Sequence, residues 1–147
     1  MPEKYDGLRL RNQLCFPIYL CAKEITRKYG PMLEELDLTY SQYVAMMYFW
    51  EVERSNLKDM SAALKLDPST LTPILKKLEQ KGYIRRARDP GDERSLIVTL
   101  TPKGLALQSE ALDVPKRMCR CLNLSDDEAQ TLETLICKVL TNIEKEL

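Results

Sequence analysis

Cys15 stands in the run Asn12-Gln13-Leu14-Cys15-Phe16, with Tyr19 four residues further on. A thiolate attacks a peroxide and becomes sulfenic acid, so a sulfur with that role needs donors that stabilise its charge. A phenolic hydroxyl serves without itself being oxidised. On an ideal helix Tyr19 lies about 40° round from Cys15 and therefore on the same face. The apolar neighbours Leu14, Phe16 and Ile18 favour an organic hydroperoxide over hydrogen peroxide. The same residues fit a second reading, in which Cys15 is packing, because free cysteine is among the most buried residue types.

The other cysteines are Cys21, Cys119, Cys121 and Cys137, which makes an odd total of five. With a polar N-terminus and no secretion signal, thiols at rest are expected rather than a disulfide framework. Cys21 lies about 240° round the helix from Cys15, so those two should not pair. Cys119 and Cys121 point roughly 200° apart on a helix. The chain has no histidine to complete a ligand set, so neither a metal nor any other cofactor is expected. The missing histidine also removes the commonest general base, and an enzyme is not expected.

A second set of residues carries a different chemistry. The net charge is zero, but it is unevenly spread. Residues 68–94 hold seven basic side chains against four acids, and residues 122–147 hold six acids against two lysines. Within the basic stretch, a helix over residues 68–81 buries Leu71, Ile74, Leu75 and Leu78. Its outer side then presents Ser69, Thr70, Thr72, Pro73, Lys76 and Lys77. Small hydroxyl and methyl groups can approach base edges in a major groove, while lysines neutralise phosphates. Arg85, Arg86 and Arg88 follow on one strand, with Asp92 and Arg94 beyond a Pro-Gly turn. A basic hairpin after such a helix is a wing, and arginine at its tip suits the narrow minor groove, with Asp92 placed to orient Arg94.

The elements that must position these groups are mostly helical, giving a mainly α (α+β) chain with one β-hairpin. A first helix is expected over 8–29, kinked near Cys15 by Pro17, with Gly30-Pro31 ending it and starting a short second helix to Leu36. Thr39 caps a helix over 41–53 whose Tyr43, Met46, Met47 and Trp50 recur at i, i+3, i+4, i+7 and form core. Leu57, Met60, Ala63 and Leu64 make a short helix, and Asp67 caps the next with Pro68 at its first position. Gly82 fits a left-handed stop. After the hairpin, Thr101-Pro102 starts a long helix to about residue 121, bent at Pro115, and Ser125 with Glu128 makes a capping box for a last helix ending near Glu144. No stretch reaches the roughly 18 apolar residues needed to span a bilayer, so a soluble, cytoplasmic chain without membrane contact is expected.

The string Leu71-Thr72-Pro73-Ile74-Leu75-Lys76-Lys77-Leu78-Glu79, then Gly82-Tyr83-Ile84, Asp92-Glu93-Arg94-Ser95 and Leu100-Thr101-Pro102-Lys103-Gly104, closely resembles the MarR family of dimeric winged-helix repressors. The resemblance implies one domain over 1–147. Residues 39–100 would form the winged helix-turn-helix, and residues 1–38 and 101–147 the helical dimerisation part. It implies a homodimer on a roughly palindromic operator in double-stranded DNA, with half-sites about one helical turn apart. The run around Cys15 is similar to that of the organic-hydroperoxide regulator (OhrR) subgroup. In that subgroup the matching cysteine senses organic hydroperoxide, and partner tyrosines, here matching Tyr19, Tyr29 and Tyr40, hydrogen-bond it. Two-cysteine members take a resolving thiol from the other subunit, a role open to Cys119 or Cys121, or to a small cellular thiol. Within the same family, release by a small aromatic or amphipathic ligand, with Cys15 only lining its pocket, is the alternative.

Overall fold

The computed structural model describes residues 2–146, apart from the side chains of Asp92, Glu93, Arg94 and Glu146. Two 3-10 turns, Glu3–Leu8 and Leu10–Asn12, precede α1 (Cys15–Glu34) and α2 (Tyr40–Val52). There follow β1 (Arg54–Asn56), α3 (Leu57–Leu64), α4 (Pro68–Gln80), β2 (Ile84–Asp89), β3 (Asp92–Leu100), α5 (Pro102–Ala111), α6 (Val114–Leu122) and α7 (Asp126–Glu146). The chain divides into two compact units, Met1–Leu112 and Asp113–Leu147. None of the described helices is long and apolar enough to cross a membrane.

The N-terminal helix differs from expectation in three ways. It begins at Cys15, because residues 3–12 wind into tighter turns held by side chains: Asn12 Nδ2 donates to the Asp6 carbonyl at 2.8 Å and Gln13 Nε2 to that of Gly7. Pro17 is the third residue of α1, where an N–H has no partner within the helix, so it costs no bond and needs no kink. Gly30 and Pro31 do not break the helix. Pro31 forfeits only the bond to the Arg27 carbonyl, and burial of Met32 and Leu33 holds the last turn in place. The stop comes at Asp37, whose φ is +52°. There the Leu38 N–H reaches the Leu33 carbonyl at 2.9 Å and the Asp37 N–H that of Glu34 at 3.0 Å, the bond pair of a Schellman turn.

Thr39 caps α2 as its sequence indicates. Its hydroxyl accepts from the Gln42 N–H at 3.3 Å, and Gln42 Oε1 accepts from the Thr39 N–H at 3.2 Å. The stripe on α2 enters the core: Met46 and Phe49 are fully buried and Tyr43 nearly so, with Met47 and Trp50 half-buried at its margin. Met60 from α3, Leu71, Leu75 and Leu78 from α4, and Ile84 and Val98 from the sheet complete that core. Ile74, expected inside, is only half-buried.

The sheet is antiparallel in the order β1-β3-β2, so β2 is an edge strand. β1 is too short and too polar to show in the sequence. It exists because β3 offers it a partner, with Ser55 opposite Val98. The expected helix to residue 121 is two helices, parted at Leu112 and Asp113. Pro115 then lies in the first turn of α6, where its missing N–H again costs nothing. In the second unit, Ser125 and Glu128 form the expected capping box, at 2.9 and 3.3 Å, and α7 runs to Glu146, past the expected end.

Candidate DNA interface and thiol site

The outer side of α4 is built by subtraction. Burial of Leu71, Leu75 and Leu78 turns Ser69, Thr70, Thr72, Pro73, Lys76 and Lys77 outward, and all six are exposed. Pro68 starts the helix, while the Asp67 backbone carbonyl accepts from the N–H groups of Thr70 at 2.9 Å and Leu71 at 3.0 Å. The expected side-chain cap from Asp67 is absent. Thr72 Oγ1 donates to the Pro68 carbonyl at 2.7 Å, which satisfies that hydroxyl within the helix and presents the methyl outward.

Gly82 launches the hairpin. With φ at +79° it takes the left-handed position that a side chain resists. The Gly82 N–H bonds the Glu79 carbonyl at 2.9 Å and the Tyr83 N–H that of Leu78 at 3.0 Å, so the helix ends and the strand begins at a defined angle. On β2, Arg85 and Arg88 are exposed. Arg86 is not: Glu79 of α4 holds it by Nε at 2.8 Å and Nη2 at 2.7 Å, and also takes its backbone N–H at 2.9 Å. The guanidinium keeps the Glu79 carboxyl below the usual carboxylate range. The side chains of Asp92 and Arg94, expected at the wing tip, lie outside the described residues.

Lys81, just past α4, reads in the sequence only as part of the basic stretch. Its ammonium donates to the Asp37 backbone carbonyl and to Gln42 Oε1 at 3.1 Å, and pairs with the Asp37 carboxylate at 3.3 Å. Lys103 Nζ in turn donates to the Lys81 carbonyl at 2.7 Å and sits 5.0 Å from the Tyr83 ring. The end of α4 is thereby tied to the turn between α1 and α2. No local pattern signals this tie, because its two halves lie 44 residues apart.

Cys15 opens α1 and is exposed, as are Leu14, Ile18 and Tyr19 around it. Tyr19 shares its face. Tyr29 is fourteen residues further along the same helix, about 21 Å away at 1.5 Å per residue. There it packs on Tyr40, with ring centroids 5.0 Å apart, and on Tyr43 at 5.9 Å. Burial, with Tyr40 adding to it, pushes the Tyr43 phenol up from its ordinary range. Within this chain, then, Tyr19 is near Cys15, while Tyr29 and Tyr40 form a separate group. Cys119 and Cys121 on α6 are exposed thiols of the second unit, as is Cys137 on α7. Among the described residues no cluster of three or more Cys, Asp or Glu side chains is placed to hold a metal ion.

Residues 27–110 match the family described as transcriptional regulator SarA/Rot. The organic hydroperoxide resistance transcriptional regulator of Bacillus subtilis is 41% identical over 144 residues, covering 98% of this chain and 96% of its own. Among solved structures, reduced AbfR bound to DNA superposes with a TM-score of 0.84 at 32% identity, over 97% of each chain. AbfR in its disulfide form gives 0.67 at 35% identity, over 96% of this chain and 97% of that one; AbfR is a Staphylococcus epidermidis protein. With the helix, hairpin and thiol placed as above, this chain belongs to the MarR-type winged-helix transcriptional regulators of the SarA/Rot family.

Proposed function

We propose that this chain is a cytoplasmic repressor that binds a palindromic operator in duplex DNA as a reduced homodimer and leaves it when an organic hydroperoxide oxidises Cys15. The observation that carries DNA binding is the single outward face of α4, with its hydroxyls, methyl groups and two lysines, next to a hairpin bearing exposed Arg85 and Arg88. Two such helices related by a two-fold axis enter successive major grooves, and the hairpins reach the flanking minor grooves.

Dimerisation is supported by apolar surface that one subunit leaves uncovered. Leu132, Leu135, Ile136, Val139, Leu140 and Ile143 recur at helical spacing along α7 and are all exposed. It is also supported by the thiol site. Tyr29 is too far along α1 to serve Cys15 of its own chain, and Tyr40 packs on Tyr29, so their role as donors requires a second copy, whose Tyr29 and Tyr40 approach this Cys15.

The role of the Bacillus subtilis relative in organic hydroperoxide resistance supports the signal. The Cys15 thiolate attacks one peroxide oxygen. An S–O bond forms, the O–O bond breaks, and the alkoxide takes a proton and leaves as an alcohol, so sulfur loses two electrons and the peroxide gains them. The resulting sulfenic acid condenses with a thiol, releasing water, to give a disulfide. The thiol is Cys119 or Cys121 of the partner subunit, or a small cellular thiol. A change of this kind at the start of α1 biases the spacing of the two recognition helices.

The test is a titration of reduced protein on its own upstream DNA, repeated after stoichiometric organic hydroperoxide, with Cys15→Ser alongside. The expected result is loss of binding in wild type and retention in the variant. If both stay bound, Cys15 is not the sensor, and release by a small aromatic or amphipathic ligand replaces this reading.

A further inference from the structure

We propose that Arg86 is a positioning residue rather than a DNA contact. In this role it is one half of a latch with Glu79 that sets the wing at a fixed angle to the recognition helix. The inference rests on the DNA-binding reading above and deepens it. Its basis is that one carboxylate holds three donors of one residue. Glu79 Oε2 accepts from Arg86 Nε at 2.8 Å and pairs with Nη2 at 2.7 Å, while Oε1 accepts from the Arg86 backbone N–H at 2.9 Å. The backbone bond matters most. β2 is the outer strand of the sheet, and an edge N–H has no neighbouring strand to receive it. Glu79 takes the place of that strand. The wing is therefore fastened to α4 through its main chain as well as through a side chain.

Two guanidinium donors converge on the single oxygen Oε2 while the backbone N–H holds Oε1, so both oxygens of the carboxylate are engaged and the pair fixes direction as well as distance. Glu79 also sits in the last turn of α4, and its own carbonyl accepts the Gly82 N–H at 2.9 Å. One residue thus closes the helix and orients the hairpin that follows. The latch leaves Arg85 and Arg88, rather than Arg86, as the exposed arginines of β2. A hairpin held at its base by β1 and Gly82 but without the latch would lose conformational freedom on meeting the minor groove. A latched one meets it already aimed.

The test compares the full-length wild type, Glu79→Ala, Arg86→Gln and the double variant by fluorescence anisotropy at several salt concentrations. Two duplexes are used, the operator with its flanks and the same operator trimmed of the flanking minor-groove segments. On the flanked duplex each single variant is expected to bind several-fold more weakly and the double variant no worse than the weaker single, since both break one latch. The slope of log affinity against log salt should stay at the wild-type value, and the penalty should vanish on the trimmed duplex. A fall of about 0.9 per bound subunit in that slope, about 1.8 for the dimer, for Arg86→Gln marks a phosphate contact and overturns the proposal. An equal loss for Glu79→Ala on both duplexes marks general damage and also overturns it. Amide exchange at Arg86 in the free protein reads the latch without DNA: faster exchange in Glu79→Ala is expected, and unchanged protection overturns the proposal. A wild type that binds neither duplex overturns the DNA-binding reading instead, and the exchange result tells the two failures apart.

Discussion

The indole N–H of Trp50 on α2 donates to the backbone carbonyl of Gly104 on α5 at 2.9 Å, across 54 residues of sequence. Gly104 is itself in a tight place. A Cβ there would run into the Tyr83 carbonyl oxygen and come within 2.8 Å of the Leu100 side chain. The start of α5 is thus pressed against the root of the hairpin and held there from α2. Gly104→Ala is expected to destabilise the chain by about 1–3 kcal/mol, the usual cost of forcing extra volume into a packed site. Trp50→Phe, which deletes the donor but keeps most of the ring, is expected to cost about 1 kcal/mol. Urea unfolding checks both: the midpoint should fall further for Gly104→Ala than for Trp50→Phe, with an unchanged slope.

The aromatic stripe of α2, the Thr39 cap and the Gly82 stop are all legible in the sequence, because each is a local rule with a residue that satisfies it. So is the outward face of α4, which follows once its leucines are buried. What escapes are features decided by distant partners. Pro31 reads as a breaker until Met32 and Leu33 find a core to enter. β1 has no strand pattern and is made by β3. Arg86 has the composition of a phosphate contact, and only folding shows that Glu79, seven residues earlier, already holds it. In the same way Cys15 and Tyr19 share a face by simple periodicity, whereas the packing of Tyr29 on Tyr40, which joins α1 to α2, shows only in the fold.

The latch also has an acid limit. Arg86 holds the Glu79 carboxyl below its ordinary value of 4.5, through the side-chain hydrogen bond first and the backbone bond next. A carboxyl whose pKa is lower in the folded chain than in the unfolded one contributes stability above the unfolded value. That contribution is lost as pH falls through the folded value. Arginine stays charged throughout. Wild type should therefore keep the wing attached at the ordinary value of 4.5 and lose it only at lower pH, seen as faster amide exchange at Arg86, while Glu79→Gln should show pH-independent protection there over the same range. Parallel pH profiles in the two proteins would mean that Glu79 is not the titrating group.

The exposed face of α7 predicts self-association. Six large apolar side chains from Leu132 to Ile143 face outward in one subunit, more than a monomeric surface ordinarily leaves uncovered. Ile136→Asp and Leu140→Asp are expected to yield monomers by sedimentation equilibrium where wild type is a dimer. The wild-type melting temperature should rise with protein concentration and that of the variants should not. A wild type that sediments as a monomer at micromolar concentration would remove the basis for donating Tyr29 and Tyr40 across an interface.

Lys76 and Lys77 face outward from α4, where a lysine can meet a phosphate. Removing one lysine–phosphate pair should lower the salt slope by about 0.9 per bound subunit, so a dimer of Lys76→Gln or Lys77→Gln subunits should show a slope smaller by about 1.8 if that lysine meets a phosphate. The drop should be the same on operator and on unrelated duplex, since a phosphate pair carries no sequence information. Thr72→Val makes the contrasting case. Its hydroxyl is already bonded to the Pro68 carbonyl, so what it offers DNA is a methyl group, which Val retains. Operator affinity and salt slope should both survive that change. A large, operator-specific loss of affinity in Thr72→Val would mean that the hydroxyl leaves the helix to bond a base, and that the outer face of α4 rearranges on binding.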